Sequence, residues 1–83
     1  MIKLKFKFTL KRNIHMYNHL ITCSYDQNKY EAICESALTE EETILFWPDE
    51  FGFPSEEKEA ATNALIEWAQ SQDFKFVIYQ GKR

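Results

Sequence analysis

Eighty-three residues with a net charge of −3 allow one domain with a thin core. Charged residues at 28% and apolar residues at 45% exclude a disordered chain, and two cysteines are too few for a disulfide framework. The material available to offset chain entropy is aromatic: 2 Trp, 4 Tyr and 7 Phe, each able to bury roughly 150–250 Å².

The first segment is predicted to be a half-buried strand. Ile2, Leu4, Phe6, Phe8 and Leu10 alternate with Lys3, Lys5, Lys7 and Thr9, so a period of two puts apolar side chains on one face and lysines on the other. That alternation also breaks any continuous apolar run. It argues against a signal peptide or a membrane span, and for a reducing cytoplasmic setting in which Cys23 and Cys34 stay free thiols.

Residues 13–19 fit two patterns. Ile14, Tyr17 and Ile21 have helical spacing behind a capping Asn13, while Tyr17, His19, Ile21, Cys23 and Tyr25 alternate as a strand. The second pattern predicts a loop to about residue 17 and then a strand to Tyr25. A turn at Gln27-Asn28 would next pair Tyr25 with Tyr30, Cys23 with Ala32 and Ile21 with Cys34, leaving the two thiols near each other.

Thr39 to Glu42 suits a charged turn before a fourth strand, Thr43 to Trp47, stopped by Pro48. Pro54-Ser55 then opens a helix, with Ser55 as N-cap, Phe53 as staple and Glu56, Glu57 and Glu59 at the positive end of the dipole. Ala61, Ala64, Leu65, Trp68 and Ala69 form its apolar stripe, and Asp73 ends it. Phe74, Phe76 and Ile78 alternate with Lys75, Val77 and Tyr79 as a last strand. The predicted fold is therefore α+β: one domain over residues 1–83, an antiparallel sheet of four to five strands, and one amphipathic helix on one face, in the order β-β-β-β-α-β.

Charge is unevenly spread. Residues 1–30 sum to +5, residues 31–73 to −11 and residues 74–83 to +3. Within the acidic stretch, Glu40, Glu41, Glu42, Asp49 and Glu50 surround Trp47, Phe51 and Phe53, a mixture suited to binding a protein: rings supply affinity and carboxylates steer toward a basic partner. Trp47, Asp49, Glu50, Phe51, Glu40, Glu41 and Glu42 are the expected contact residues. The competing assignment for Phe51 and Phe53 is a plug at the end of the core.

A second reading takes Lys3, Lys5, Lys7, Lys11 and Arg12 as a phosphate-tracking stripe for nucleic acid. Lysines also solubilise an outer sheet face and blunt an edge strand, and the acidic balance of the chain favours that role. A third reading uses His15, His19 and Cys23, with Cys34, as metal ligands or catalytic groups. On a helix the first three share a face; on a strand they span about 13 Å. No serine nucleophile motif is present, and Gly52 and Gly81, the only glycines, make no phosphate-cradling loop. No cofactor is implied, and self-association through an exposed edge strand is open.

In size and charge the whole chain is similar to stand-alone inhibitors encoded by phages and mobile elements, anti-CRISPR proteins among them. That resemblance implies a non-catalytic protein that blocks a larger intracellular machine by occupying its surface, including a site that normally receives nucleic acid.

Overall fold

The computed structural model describes residues 6–37 and 41–83. Lys3, Lys5 and Glu40 lie outside them, as does part of the charged turn expected from Thr39. The alternating segments form strands β1 (Lys7–His15), β2 (Asn18–Tyr25), β3 (Asn28–Ala37), β4 (Thr43–Phe46) and β5 (Lys75–Ile78), with a 3-10 turn (Pro48–Phe51) and helix α1 (Ser55–Gln70) between β4 and β5. The five strands make one sheet in chain order. The expected β-β-β-β-α-β order and the single amphipathic helix are both present.

One feature of the sheet differs from expectation. The first three junctions are antiparallel, but β5 runs parallel to β4, in the register Ile44 with Phe76 and Phe46 with Ile78. The cause is the connection. A tight hairpin reverses the chain, whereas a helical crossover returns it to the starting end of the neighbouring strand. The sheet is mixed for that reason.

Two hairpin details are also corrected. Residues 13–15 continue β1 rather than forming a loop, and the chain reverses at Met16-Tyr17, with Met16 in the left-handed region (φ 53°) and a register shift between Lys11 and His15. The second turn is Asp26-Gln27, with Asp26 at φ 52°. Aspartate tolerates that conformation better than glutamine would, which draws the turn one residue toward the N-terminus. Pairing therefore becomes Tyr25 with Asn28, Cys23 with Tyr30, Ile21 with Ala32 and His19 with Cys34. A shift of two along the partner strand keeps every side chain on its expected face. It separates the thiols, however: Cys34 lies four residues from the partner of Cys23, about 13 Å along the strand, beyond disulfide reach.

The helix-side face holds the core: Ile21, Cys23, Ala32, Cys34, Ile44 and Phe46 from the sheet against Leu65 and Ala69 of α1. Ala61, Ala64, Leu65 and Ala69 are buried as the stripe predicts, and Trp68 fills the space between Phe8, Phe46 and Phe74. Ser55 is the first helical residue rather than the cap; Pro54 takes that position, accepting from the Glu57 N–H at 2.9 Å. The helix ends at Gln70, before Asp73, where the Ser71 hydroxyl donates to the Trp68 carbonyl at 2.6 Å. Phe53 stacks on Phe51 and meets Tyr30 edge-on, so it staples the 3-10 turn to the sheet.

Candidate partner-binding surface

Among the described residues no helix lies over the opposite face of the sheet. Parity sends Leu20, Ile33, Leu45 and Val77 to that side, and register aligns Leu20 with Ile33 and Leu45 with Val77. One row further on, the parallel pairing sets Trp47 beside Tyr79. The Tyr79 N–H extends the ladder to the Phe46 carbonyl at 2.9 Å, and the two rings stack with centroids 5.1 Å apart and planes 17° apart. Tyr79 and Val77 remain 42% and 39% exposed. Trp47, Leu20, Ile33 and Leu45 are half-buried, so the exposed part of this face is its edge at Val77 and Tyr79.

The 3-10 turn sorts the expected contact residues. Pro48 and Phe51 turn inward and are buried; Phe51 lies against Phe8 and Phe53, so it belongs to the core plug and not to an outer contact surface. Gly52 closes the turn at φ 76°, a conformation that residues with a Cβ adopt at a cost. Asp49 and Glu50 stay half-exposed beside Trp47. Asp49 pairs with Lys58 and accepts the Gly81 N–H at 2.7 Å, and these contacts hold its carboxyl below the usual aspartate range. Glu50 accepts the Arg83 N–H at 2.9 Å. Glu41 and Glu42 stand apart from this group, paired with Lys75 and Arg12 respectively.

Three members of the surface carry no local signal in the sequence. Tyr79 reads only as part of the last strand, and Glu35 and Arg83 as isolated charges. The Arg83 guanidinium contacts Glu35 at 2.6 and 2.8 Å and lies over the Trp47 ring, 5.9 Å from its centre. The alternation of residues 74–79 places Tyr79 away from the core. Its meeting with Trp47 additionally requires the parallel register.

The lysine stripe is divided. Lys7 and Lys11 are exposed on the open face of the edge strand β1, but Arg12 points to the helix side. There its guanidinium holds the Glu42 carboxylate, with one bond of 2.7 Å, and lies over Phe74 at 5.9 Å. The pair raises the pKa of Arg12 and lowers that of Glu42.

His19 and Cys23 also face the core, and among the described residues no three of His, Cys, Asp or Glu are grouped to hold a metal ion. His19 is 1% exposed, and its Nε2 lies 2.6 Å from the Ser36 hydroxyl. A base this close to a hydroxyl has the geometry of an activated nucleophile. Neither residue lines the groove beside α1 at Lys58, the one at Arg12 and Phe74, or the one at Gly52 and Lys82, however. Burial lowers the pKa of His19 and pushes the thiols up to about 11 for Cys23 and about 12 for Cys34. These thiols are too protonated for ready reaction.

A groove of about 720 Å³ runs between α1 and residues 78–81; its walls include Lys58, Thr62, Asn63 and Tyr79. Among the described residues no helix is long and apolar enough to cross a membrane. No family model, curated protein or solved structure matches the chain.

Proposed function

We propose that this chain is a non-catalytic protein-binding module that docks through the Trp47 surface on a basic region of a larger intracellular protein. The observation that carries this reading is the stacked Trp47–Tyr79 pair on the sheet face opposite α1, next to Glu35, Asp49 and Glu50. Rings held rigidly by a sheet lose little conformational freedom on binding, and the adjoining carboxylates favour cations. In its sharper form the reading makes the chain an inhibitor covering a site that receives nucleic acid, of the phage-encoded kind. Size and acidity favour that form, and competition between the chain and nucleic acid for the captured partner tests it. The direct test is capture from nuclease-treated lysate: a protein retained by the wild-type chain is lost with Trp47→Ala. Equal retention by the variant overturns the reading.

A second reading, binding of nucleic acid along β1, is favoured by the exposure of Lys7 and Lys11 on one face. Salt-dependent retention on DNA or RNA, abolished by Lys7→Glu with Lys11→Glu, supports it; indifference to those substitutions removes it.

A further inference from the structure

We infer that the Trp47 surface receives an arginine side chain carried on an extended segment of the partner, and that residues 80–83 of this chain occupy the same site in the partner's absence. The inference rests on the docking reading and names the chemistry of what docks.

Three carboxylates from two separate parts of the fold converge on one short segment. Glu35 on β3 takes the Arg83 guanidinium through two of its nitrogens, at 2.8 and 2.6 Å. Asp49 and Glu50, in the 3-10 turn, each accept a backbone N–H, from Gly81 at 2.7 Å and from Arg83 at 2.9 Å. The Trp47 ring lies beneath the guanidinium. Backbone donors and a planar cation are what an extended arginine-bearing peptide offers. Carboxylate oxygens with an aromatic face are the matching receptor.

The occupant in hand is held loosely. Residues 80–83 are all exposed and form no helix or strand, and their anchoring pairs are surface ones, which contribute little. Gly81, at φ 80°, lets the segment turn back onto Asp49. With the Arg83 side chain removed, Glu35 loses its cation and the Trp47 ring its cover, while Glu50 keeps the backbone N–H of residue 83 and Asp49 keeps Lys58 and the Gly81 N–H. The vacated place would be acidic, ring-backed and continuous with the exposed Val77. An incoming segment gains contact with Val77, which is 39% exposed beside residues 80–83. It must compete with a tethered rival, so removing the rival raises its apparent affinity.

The test uses the full chain and a defined probe, the synthetic peptide Tyr-Gln-Gly-Lys-Arg with an amidated end, beside an otherwise identical peptide bearing neutral citrulline. Binding is followed by the indole N–H resonances, with Trp47 and Trp68 distinguished through Trp47→Phe. In Arg83→Ala the arginine peptide shifts the Trp47 resonance and binds at least about tenfold more tightly than to the wild-type chain. The citrulline peptide binds at least about tenfold more weakly, and adding Glu35→Gln abolishes binding. A melting temperature for Arg83→Ala within a few degrees of wild type verifies that the receptor is folded.

A folded Arg83→Ala that leaves the Trp47 resonance unmoved, or binds both peptides alike, overturns the inference. The probe is independent of any cellular partner. Trp47-dependent capture from lysate with a silent peptide therefore sinks arginine reception and leaves docking standing. Peptide binding with Trp47-independent capture does the reverse.

Discussion

On the helix side of the sheet, Phe46 meets the rings of Trp68, Phe74 and Phe76, and Ile44 has no measurable exposure. One residue along the same strand, Leu45 points the other way, beside Val77, with no element of the described chain laid over it. Each face carries apolar side chains near its centre: Ile21, Ala32, Ile44 and Phe76 on one, Leu20, Ile33, Leu45 and Val77 on the other. What separates them is cover: α1 and the 3-10 turn close one face, and no other described element closes the second. Composition alone therefore misjudges which aromatic residues stabilise the fold and which remain available. Position 46 belongs to the first class and position 47 to the second, though they are adjacent in the chain.

Paired truncations at those neighbours test the contrast most severely. Phe46→Ala opens a cavity at a side chain only 1% exposed, and should cost about 3–5 kcal/mol, much of the stability of a domain this size. Urea unfolding measures it. Leu45→Thr, on the uncovered face, should stay within about 1 kcal/mol by the same assay. Equal losses at both positions would mean that something covers the open face in solution, as self-association would.

Trp47→Ala is expected to divide the two properties in the opposite sense. Stability should change little, while partner retention falls by at least about thirtyfold, the effect of losing a hot spot near 2 kcal/mol. A large stability loss with retention intact would move Trp47 into the structural class.

The fold was largely legible because parity and helical spacing are local properties of sequence. Phe8 and Leu10, Ile21 and Cys23, Ala64 and Trp68 all lie where their periodicity sends them. The unexpected features depend on how distant segments meet. That β5 runs parallel to β4 follows from the whole crossover, and the Trp47–Tyr79 stack follows from that register in turn. Arg83 reaches back 48 positions to Glu35, a contact that no local spacing marks. Similarly, the acidic density around residue 50 was plain, but Phe51 turning inward while Asp49 and Glu50 stay outside is a consequence of one 3-10 turn after Pro48.

The buried imidazole gives a prediction in pH. His19 in the folded chain has a lowered pKa, chiefly through burial, so the unfolded chain binds more protons in the interval below about 6.5. Stability is therefore full above that value and falls with acidification until the folded-state pKa is reached. Denaturation midpoints measured from pH 7.5 to 5 should decline in the wild type and decline less in His19→Asn. Parallel slopes would assign the acid sensitivity to other groups.

The smallest effect concerns the cover over that histidine. Arg12 and Glu42 join β1 to the start of β4 across two intervening strands, about 14 Å on a flat sheet, and His19 and Ser36 lie between them on the same face. As an exposed ion pair it should contribute below about 1 kcal/mol, vanishing in concentrated salt. Its charges nevertheless act on His19 in opposite directions: Arg12 lowers the pKa and Glu42 raises it. Arg12→Met should shift the His19 titration upward and Glu42→Gln should shift it downward, both read from the imidazole proton resonances. Opposed shifts with nearly unchanged unfolding midpoints would place the pair over His19 while assigning it almost no share of the stability. Shifts of the same sign would mean that each substitution acts by changing the burial of the ring, and that the pair works as packing rather than as charge.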